Sequence, residues 1–240
     1  MKVSEQDNYY LNLEGDSFFE RNFENKNLPE LRLGKQIILE NILNSKIEFN
    51  KVLEYGCCYA DLLAVLKSKH NKTVMGVEAS AKAIEFSRIR YNNLFPLVHG
   101  TIADNEINKI PKYIGYFDLV IIDDVFGWVS RDTLFQSLAN IDSMVKDGGY
   151  IFIRDFFPDR RIKNRNHHVK NTDIFNFKVP GSHASLFVTS GIYETVFQKV
   201  YYDDIGISTT YKCDNIFNYR WTDLILQKSL SNYYNESKKV

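Results

Sequence analysis

The chain has 240 residues, of which 44% are hydrophobic, and its 30 basic and 30 acidic side chains give a formal net charge of zero. This composition is typical of one globular domain and excludes an intrinsically disordered chain. Because no overall positive charge is available to hold a phosphate backbone, nucleic acid is not an expected partner.

The cysteines and the N-terminal residues indicate the cellular compartment of the protein. The three cysteines, Cys57, Cys58 and Cys213, cannot form a disulfide framework, which favours a reducing compartment. The polar N-terminus has no apolar signal region, and no stretch is long and apolar enough to span a membrane. We therefore expect a cytoplasmic protein that does not enter the membrane.

Strands and helices alternate along the first two thirds of the chain. Short apolar runs predict five buried strands, at 51–56, 73–80, 96–102, 116–124 and 150–156. Apolar residues at helical spacing predict a helix before the first strand, at 31–43, and helices between later strands, at 60–69, 81–93 and 133–145. This alternation is typical of a parallel sheet that is covered by helices on both faces.

The pattern changes after Pro158. Residues 157–182 are polar and basic, and they predict a long functional loop or insertion. Two late apolar stretches, 195–204 and 219–229, have no helix pattern between them and predict an antiparallel hairpin with a long connection. The expected fold is therefore α/β and doubly wound, with a mostly parallel, seven-stranded, Rossmann-like sheet.

The segment that follows the first strand contains the most informative motif. Glu54 ends the strand, and Gly56 permits a turn that brings the backbone close to a ligand. Small residues, Cys58 and Ala60, follow at alternate positions. The segment resembles motif I of the class I S-adenosylmethionine-dependent methyltransferases, in which an acid is followed by glycines at alternate positions. Cys58 and Ala60 depart from that pattern.

Acidic residues at other strand ends support the same cofactor. Glu78 ends the second strand, where a carboxylate can accept hydrogen bonds from a ribose diol. A nicotinamide enzyme would also have an acid there, but Glu54 would repel a pyrophosphate and suits the amino group of a methionine moiety. The resemblance implies S-adenosylmethionine as the cofactor and further contacts to it from four residues: Ala79, Thr101, Ile102 and Asp123.

The segment after the fifth strand contains candidates for proton transfer. Asp155 should face the ligand crevice, and His167 and His168 follow closely in the sequence. A hydroxyl acceptor needs a base, and histidine titrates near neutral pH. The interpretation is that His168 is the base and that Asp155 orients it, with His167 as the alternative. Asp123, Asp124 and His168 could instead hold a divalent metal, although their spacing does not support this, and no metal is expected.

The flanks of the core resemble methyltransferases of bacterial surface-polysaccharide and nucleotide-sugar pathways. The resemblance rests on "GD-x-FF-x-RN" near the N-terminus and "DF-x-P…N-x-HH…F-x-F" after the fifth strand. It implies O-methylation of a sugar, a nucleotide-linked sugar or a phosphate-containing building block. The expected substrate-binding residues come from these flanks and from the crevice: Phe19, Arg21, Asn22, Trp128, Arg154 and His183.

The domain boundaries follow from these assignments. We expect residues 1–45 to form a helical lid and residues 46–240 to form the methyltransferase domain, in which 157–190 is an insertion on the substrate side. Two other functions remain open: methyl transfer to another small molecule or a protein nitrogen, and a non-catalytic regulator that binds a nucleotide. The expected partner is a small-molecule acceptor, and the sequence leaves open whether the protein is a monomer or a homodimer.

Overall fold

A computed structural model describes residues 4–169, 173–201 and 220–230. Helices and one π-helical turn make up its N-terminal part: α1 (Glu5–Tyr9), the π turn (Tyr10–Glu14), α2 (Gly15–Asn22) and α3 (Leu33–Asn44). The helices that follow are α4 (Asp61–Ser68), α5 (Ala81–Arg90), α6 (Leu134–Met144) and α7 (Ala184–Val188). Among the described residues, no helix combines the length and the apolar character needed to cross a membrane.

Seven of the strands form one sheet. They are β1 (Lys51–Tyr55), β2 (Thr73–Glu78), β3 (Leu97–His99), β4 (Phe117–Asp123), β5 (Val145–Phe156), β8 (Tyr193–Tyr201) and β9 (Trp221–Lys228). Their order is β3-β2-β1-β4-β5-β9-β8. The first five strands are parallel, and β9 runs antiparallel to both β5 and β8. The predicted seven-stranded, mostly parallel sheet is confirmed, whereas the long connection before β9 and Cys213 lie outside the described residues.

The two faces of the sheet pack against separate apolar layers. In β1, Leu53 contributes to one layer and Val52 to the other. In β4, Val120 and Leu119 divide in the same way. Successive side chains of a strand point to opposite faces, so a strand that is buried on both faces is apolar throughout. This explains why the central strands were recognisable as continuous apolar runs.

The strand order fixes where a ligand crevice can form. The chain passes from β1 outward to β2 and β3, and it then returns to the other side of β1 to form β4 and β5. At such a reversal the loops on either side diverge and leave a crevice beyond the carboxyl ends of the strands. The segments after β1, β2 and β4 therefore line a common crevice.

The segment after β5 differs from the predicted loop. It contains β6 (Ile162–Arg165) and β7 (Phe175–Lys178), which pair as a separate two-stranded antiparallel sheet. Asn176 and Lys178 are buried, and the alternate residues of β7, Phe175 and Phe177, are partly exposed. The polar side chains lie inward and the aromatic ones outward, which inverts the usual pattern of a half-buried strand. The sequence pattern therefore did not predict β7.

Candidate active site

The turn after β1 is built from residues with unusual backbone angles. Gly56, Cys58 and Ala60 have φ values of 70°, 53° and 56°, all in the left-handed region. A Cβ atom at Gly56 would lie 2.5 Å from Cγ2 of Val125, so that position excludes a side chain. The Gly56 N–H donates to the Val77 carbonyl at 2.8 Å, which holds the turn against β2. The backbone of this turn is thus presented to the crevice.

Glu78 connects the ends of β1 and β2. One carboxylate oxygen accepts a hydrogen bond from the Cys58 N–H at 2.7 Å, and the other accepts one from the Ser80 N–H at 2.8 Å. Each oxygen has a second lone pair, and the residue is only partly buried by the protein. Burial raises the pKa of Glu78, while the backbone N–H donors oppose that shift. This arrangement fits a ribose diol, which would donate to both oxygens.

A buried lysine that the sequence analysis missed lies at the floor of the crevice. The Lys35 ammonium, near the start of α3, is 2.5 Å from Glu54 Oε1 and 2.8 Å from Asp123 Oδ2. Only 4% of the Lys35 side chain is exposed. No local motif marks Lys35, because its two partners are on strands that follow much later in the chain.

The burial of these two carboxylates differs. The Glu54 side chain is fully buried, whereas 18% of the Asp123 side chain is exposed. Burial raises the pKa of Glu54, and Lys35 opposes this shift. Burial acts in the same direction on Asp123, but Lys35 and Arg154 outweigh it and lower its pKa. Lys35 thus occupies one oxygen of Glu54, and Asp123 is the more exposed of the two carboxylates, so a contact of Glu54 with the methionine amino group stays a prediction.

The remaining expected cofactor residues lie on the β2 and β3 side. Ile102 is buried, and Thr101 belongs to an ordered turn in which its hydroxyl accepts from the Asp104 N–H at 3.1 Å. The Ala79 carbonyl is 2.8 Å from the His99 ring nitrogen Nε2. These contacts order the loops beside Glu78, and such ordered loops are suited to holding a planar base.

The N-terminal helices pack over this side of the crevice. A Cβ atom at Gly15 would lie 3.0 Å from both Ala79 C and Ser80 N, so the α2 backbone is in close contact with the loop after β2. The Asp16 carboxylate accepts from the Ser80 hydroxyl at 2.7 Å and from the Lys82 N–H at 3.0 Å. The start of α2 is therefore fixed to the start of α5.

A polar cluster lies on the other side, between the N-terminal helices and the segment after β5. The Arg21 guanidinium is 2.6 Å from the buried Glu14 carboxylate, to which Asn166 also donates at 3.4 Å. Burial, followed by the charge of Glu14, raises the pKa of Tyr10, which also interacts with Asn166 and Asp124. These five residues connect the π turn and α2 with the end of β4 and the end of β6.

The histidine pair lies beside this cluster. His167 and His168 are exposed, and their ring centroids are 3.9 Å apart. The Asn166 side chain accepts a hydrogen bond from the His168 N–H at 3.0 Å. Loss of hydration, followed by the charges of His167 and Arg21, lowers the pKa of His168. A lowered pKa favours the neutral form of the His168 ring, which can accept a proton.

Asp155 is paired with a different histidine from the expected one. Its Oδ2 accepts from His183 Nδ1 at 2.7 Å and from the His183 N–H at 2.9 Å. Arg131 Nη1 lies 3.0 Å from His183 Nε2. A guanidinium only donates, so Nε2 is the acceptor and the proton is on Nδ1. Asp155 therefore anchors the turn before α7 and does not orient His168.

Several of the expected substrate residues lie away from the crevice surface. His183 is fully buried, and Arg154 forms a buried two-point ion pair with Asp223 at 2.6 and 2.7 Å. Phe19 is 3% exposed within an aromatic cluster, and the exposed Asn22 donates to its own helix. Trp128 is the exception, because its ring lies 6.1 Å from the Tyr10 ring beside the polar cluster.

The described residues do not assemble the ligand set of the metal alternative. Within the ranges 4–169, 173–201 and 220–230, the structure brings together no group of three or more His, Cys, Asp or Glu side chains that could hold a metal ion. Asp123 is engaged by Lys35 instead. The described residues thus give the metal hypothesis no support.

Comparisons with known proteins agree with this geometry. Residues 53–153, which include the turn after β1 and the ends of β2 and β4, match a family model described as "Methyltransferase domain". No curated protein matches the chain.

Solved structures with the same fold have very different sequences. The putative sarcosine dimethylglycine methyltransferase of Galdieria sulphuraria is 11% identical, with a TM-score of 0.64 over 90% of this chain and 98% of its own. The 1,6-didemethyltoxoflavin-N1-methyltransferase of Burkholderia thailandensis, solved with S-adenosylhomocysteine, is 12% identical, with a TM-score of 0.63 over 95% and 92%. An S-adenosylmethionine-dependent methyltransferase from Archaeoglobus fulgidus is 16% identical, with a TM-score of 0.58 over 88% and 99%.

These similarities extend over nearly the whole of each chain and confirm the expected class I fold. The family match covers the segments whose turn and carboxylates fit the cofactor. The chain therefore has the class I methyltransferase fold, and its residues 53–153 match a methyltransferase family model.

Proposed function

We propose that the protein is an S-adenosylmethionine-dependent methyltransferase that O-methylates a small, hydroxyl-rich acceptor: a sugar, a nucleotide-linked sugar or a phosphate-containing building block of a bacterial surface polysaccharide. The observation that supports this most is the polar cluster beside the crevice, formed by Tyr10, Glu14, Arg21, Asp124 and Asn166, together with the neighbouring His168. Its donors and acceptors match the hydroxyls of a sugar, and Arg21 can also meet an anionic group.

Residues at the ends of β1, β2 and β3 would bind and position the cofactor. Glu78 would accept from the ribose hydroxyls, and the backbone of Gly56 and Cys58 would lie against the ligand. Thr101 and Ile102 would flank the adenine, with Ala79 beside the ribose. When bound, S-adenosylmethionine supplies a methyl group on a positively charged sulfur. The acceptor oxygen must then lie in line with that bond, and such positioning supplies much of the rate.

His168 is the proposed base. Its lowered pKa favours the neutral ring, and its backbone N–H is bonded to Asn166, which also donates to Glu14. The ring would take the proton from the acceptor hydroxyl as the oxygen–methyl bond forms. His167 is the alternative base, and its ring packs against that of His168.

Asp155 is proposed to support the site without contacting the substrate. Through His183 it holds the turn that begins α7, which packs against the segment at 126–128 that carries Trp128. Trp128 and Arg21 remain the proposed substrate contacts among the residues that reach the crevice. Arg154, Phe19, Asn22 and His183 would support the site by packing.

The N-terminal residues 1–45 are proposed as the lid of the site, attached to the methyltransferase domain 46–240. Support comes from the contact of Gly15 with the loop after β2 and from the bond between Glu14 and Asn166. The second contact reaches the proposed substrate-side insertion 157–190. Together they would close the site on both sides and exclude water from the transfer.

A nitrogen acceptor is the rival function. The buried Glu14 carboxylate and the nearby Asp124 could hold an amine cation, and such an acceptor would need no strong base once deprotonated. Two proteins of similar structure, the 1,6-didemethyltoxoflavin-N1-methyltransferase and the glycopeptide N-methyltransferase MtfA, are named as N-methyltransferases.

The test is methyl transfer from isotopically labelled S-adenosylmethionine to matched acceptors. Nucleotide sugars and sugar phosphates would be compared with their amino-sugar counterparts, and the methylated atom would be identified by mass spectrometry and NMR. The proposal expects methyl ethers. Products methylated only on nitrogen would overturn it.

A further inference from the structure

We propose that the outer face of the β6–β7 hairpin, formed by Lys163, Arg165, Phe175 and Phe177, binds the nucleoside diphosphate part of the acceptor. Phe175 stacks on the base, and the neighbouring cations meet the phosphates. The inference rests on the proposed function and narrows it to a nucleotide-linked acceptor. All four residues lie outside the range 53–153 that matches the methyltransferase family model.

The aromatic rings lie on the outer side of the hairpin. Phe175 and Phe177 are only partly buried, whereas the residue between them, Asn176, is buried against the backbone of Gly127. A strand with one solvated face usually turns its apolar side chains towards the protein. Rings on the opposite side gain less from burial, and they offer a flat surface on which a planar base can stack.

Cations share this face with the rings. Arg165 lies opposite Phe175, and Lys163 lies opposite Phe177, so all four side chains point to the same side of the two-stranded sheet. The Lys163 ammonium is 3.7 Å from the centroid of the Phe175 ring, and the Arg165 guanidinium carbon is 5.0 Å from it. Arg165 also pairs with Asp173 at 3.1 Å, but both side chains are exposed and such a pair stabilises little. A phosphate can therefore compete for Arg165.

The residues before β6 add positive charge at the same end of the chain segment. Arg160 and Arg161 are exposed, and neither forms an ion pair within the part of the chain that the structure describes. Because the whole chain has no net charge, this excess is local. Guanidinium groups suit phosphate oxygens, and the rings suit a base. The combination matches a nucleoside diphosphate better than a free sugar or a simple anion.

The platform is rigid and lies close to the proposed base. The Gln6 side chain accepts from the Phe175 N–H at 3.1 Å and donates to the Phe175 carbonyl at 3.0 Å and to the Trp128 carbonyl at 2.5 Å. The backbone that carries the Phe175 ring is thus fixed to α1. Arg165 and His168 are three residues apart, so their Cα atoms are separated by at most about 11 Å. Phosphates held at Arg165 would leave a linked sugar within reach of His168.

Calorimetry with parts of the ligand tests the two halves of the site. The probes are ADP, CDP, GDP and UDP, added to protein saturated with S-adenosylhomocysteine so that the cofactor site is filled. The best of them should bind more tightly than its nucleoside or inorganic pyrophosphate. It should also inhibit methyl transfer competitively with the acceptor, which distinguishes part of the acceptor from a separate nucleotide effector.

Variants assign each half to its residues. Phe175→Leu should weaken the nucleoside diphosphate and the nucleoside by about tenfold, within the range for loss of a stacked base, and leave pyrophosphate unchanged. Lys163→Gln/Arg165→Gln should weaken the nucleoside diphosphate and pyrophosphate by about fivefold and leave the nucleoside unchanged. Phe135→Leu, which removes a ring that is 76% exposed on α6, and Lys69→Gln are the matched controls and should change no affinity.

Several results would overturn the proposal. These are no binding of any nucleoside diphosphate by protein that binds S-adenosylhomocysteine, wild-type affinity in both hairpin variants, and inhibition that is not competitive with the acceptor. Tighter binding of a short single-stranded oligonucleotide than of any nucleoside diphosphate would assign the face to nucleic acid instead. Methyl ethers on free sugar phosphates alone would contradict this inference and keep the proposed function, whereas products methylated only on nitrogen would contradict the proposed function itself.

Discussion

The β1–β2 side of the crevice and its β4–β5 side were predicted with unequal success. On the first side, the turn at Gly56 and the acid Glu78 lie where the sequence places them, and they contact each other through local backbone. On the second side, Asp155 pairs with His183, and Glu14 from the N-terminus reaches Asn166. Glu78 bonds to backbone N–H groups, so its position at a strand end is enough to predict it, whereas a pairing between two side chains cannot be predicted from the position of either one.

Removal of the proposed base gives the largest expected effect and tests the less predictable side. His168→Ala should lower kcat by about 10²–10⁴-fold, the usual contribution of a positioned base. Cofactor affinity should not change, because the cofactor contacts come from other strands. Steady-state kinetics on the identified acceptor, with calorimetry for S-adenosylhomocysteine, would measure both, and His167→Ala tests the alternative base in the same way.

The pH profile of the wild type adds a second readout of His168. Its pKa is lowered, so the ring is neutral above that pKa and becomes protonated below it. The rate should therefore fall on the acid side, with a midpoint below about pH 6.5, the usual histidine value. A rate that is independent of pH between about 5 and 8 would remove His168 from the mechanism.

A side chain at Gly56 tests the predictable side. Gly56→Val requires a left-handed conformation for a β-branched residue and a contact with Val125. Binding of S-adenosylhomocysteine should weaken by about a hundredfold or more, equivalent to about 2.7 kcal/mol. Circular dichroism and a thermal melt would establish that the variant is folded. A folded variant that binds like the wild type would place the cofactor elsewhere.

His183→Ala distinguishes a structural role from a catalytic one. The substitution leaves the buried Asp155 without its ring partner, so the free energy of unfolding should fall by about 2–3 kcal/mol. Affinity for S-adenosylhomocysteine should change little. Denaturant titration would measure the loss, with the exposed His167→Ala as a control. Unaltered stability would show that the pair does not anchor the turn before α7.

Glu78→Ala should have the smallest effect. Loss of the ribose contacts and of the bonds to Cys58 and Ser80 should weaken S-adenosylhomocysteine by about 1–3 kcal/mol. Glu78→Gln keeps one carbonyl acceptor and should lose less. Affinity that is unchanged in both variants would contradict the ribose assignment, provided that both melt like the wild type.

The strands of the sheet could be predicted from the sequence because the central strands are apolar on both faces, as Val52 and Leu53 illustrate. The β6–β7 hairpin could not, because Asn176 and Lys178 face inward and invert the usual pattern. Lys35 was missed for a different reason: a lone lysine in an apolar helix has no local signature, and only the folded sheet brings Glu54 and Asp123 to it.

Calorimetric titration of the wild-type protein with S-adenosylhomocysteine, in parallel with NADH, decides whether the crevice binds a methyl donor or a nicotinamide cofactor. The account predicts one saturable site for S-adenosylhomocysteine that is lost in Gly56→Val and weakened in Glu78→Ala, and no heat from NADH at matched concentrations. Saturable binding of NADH, or no binding of S-adenosylhomocysteine by folded protein, would contradict the assignment of this crevice to a methyl donor.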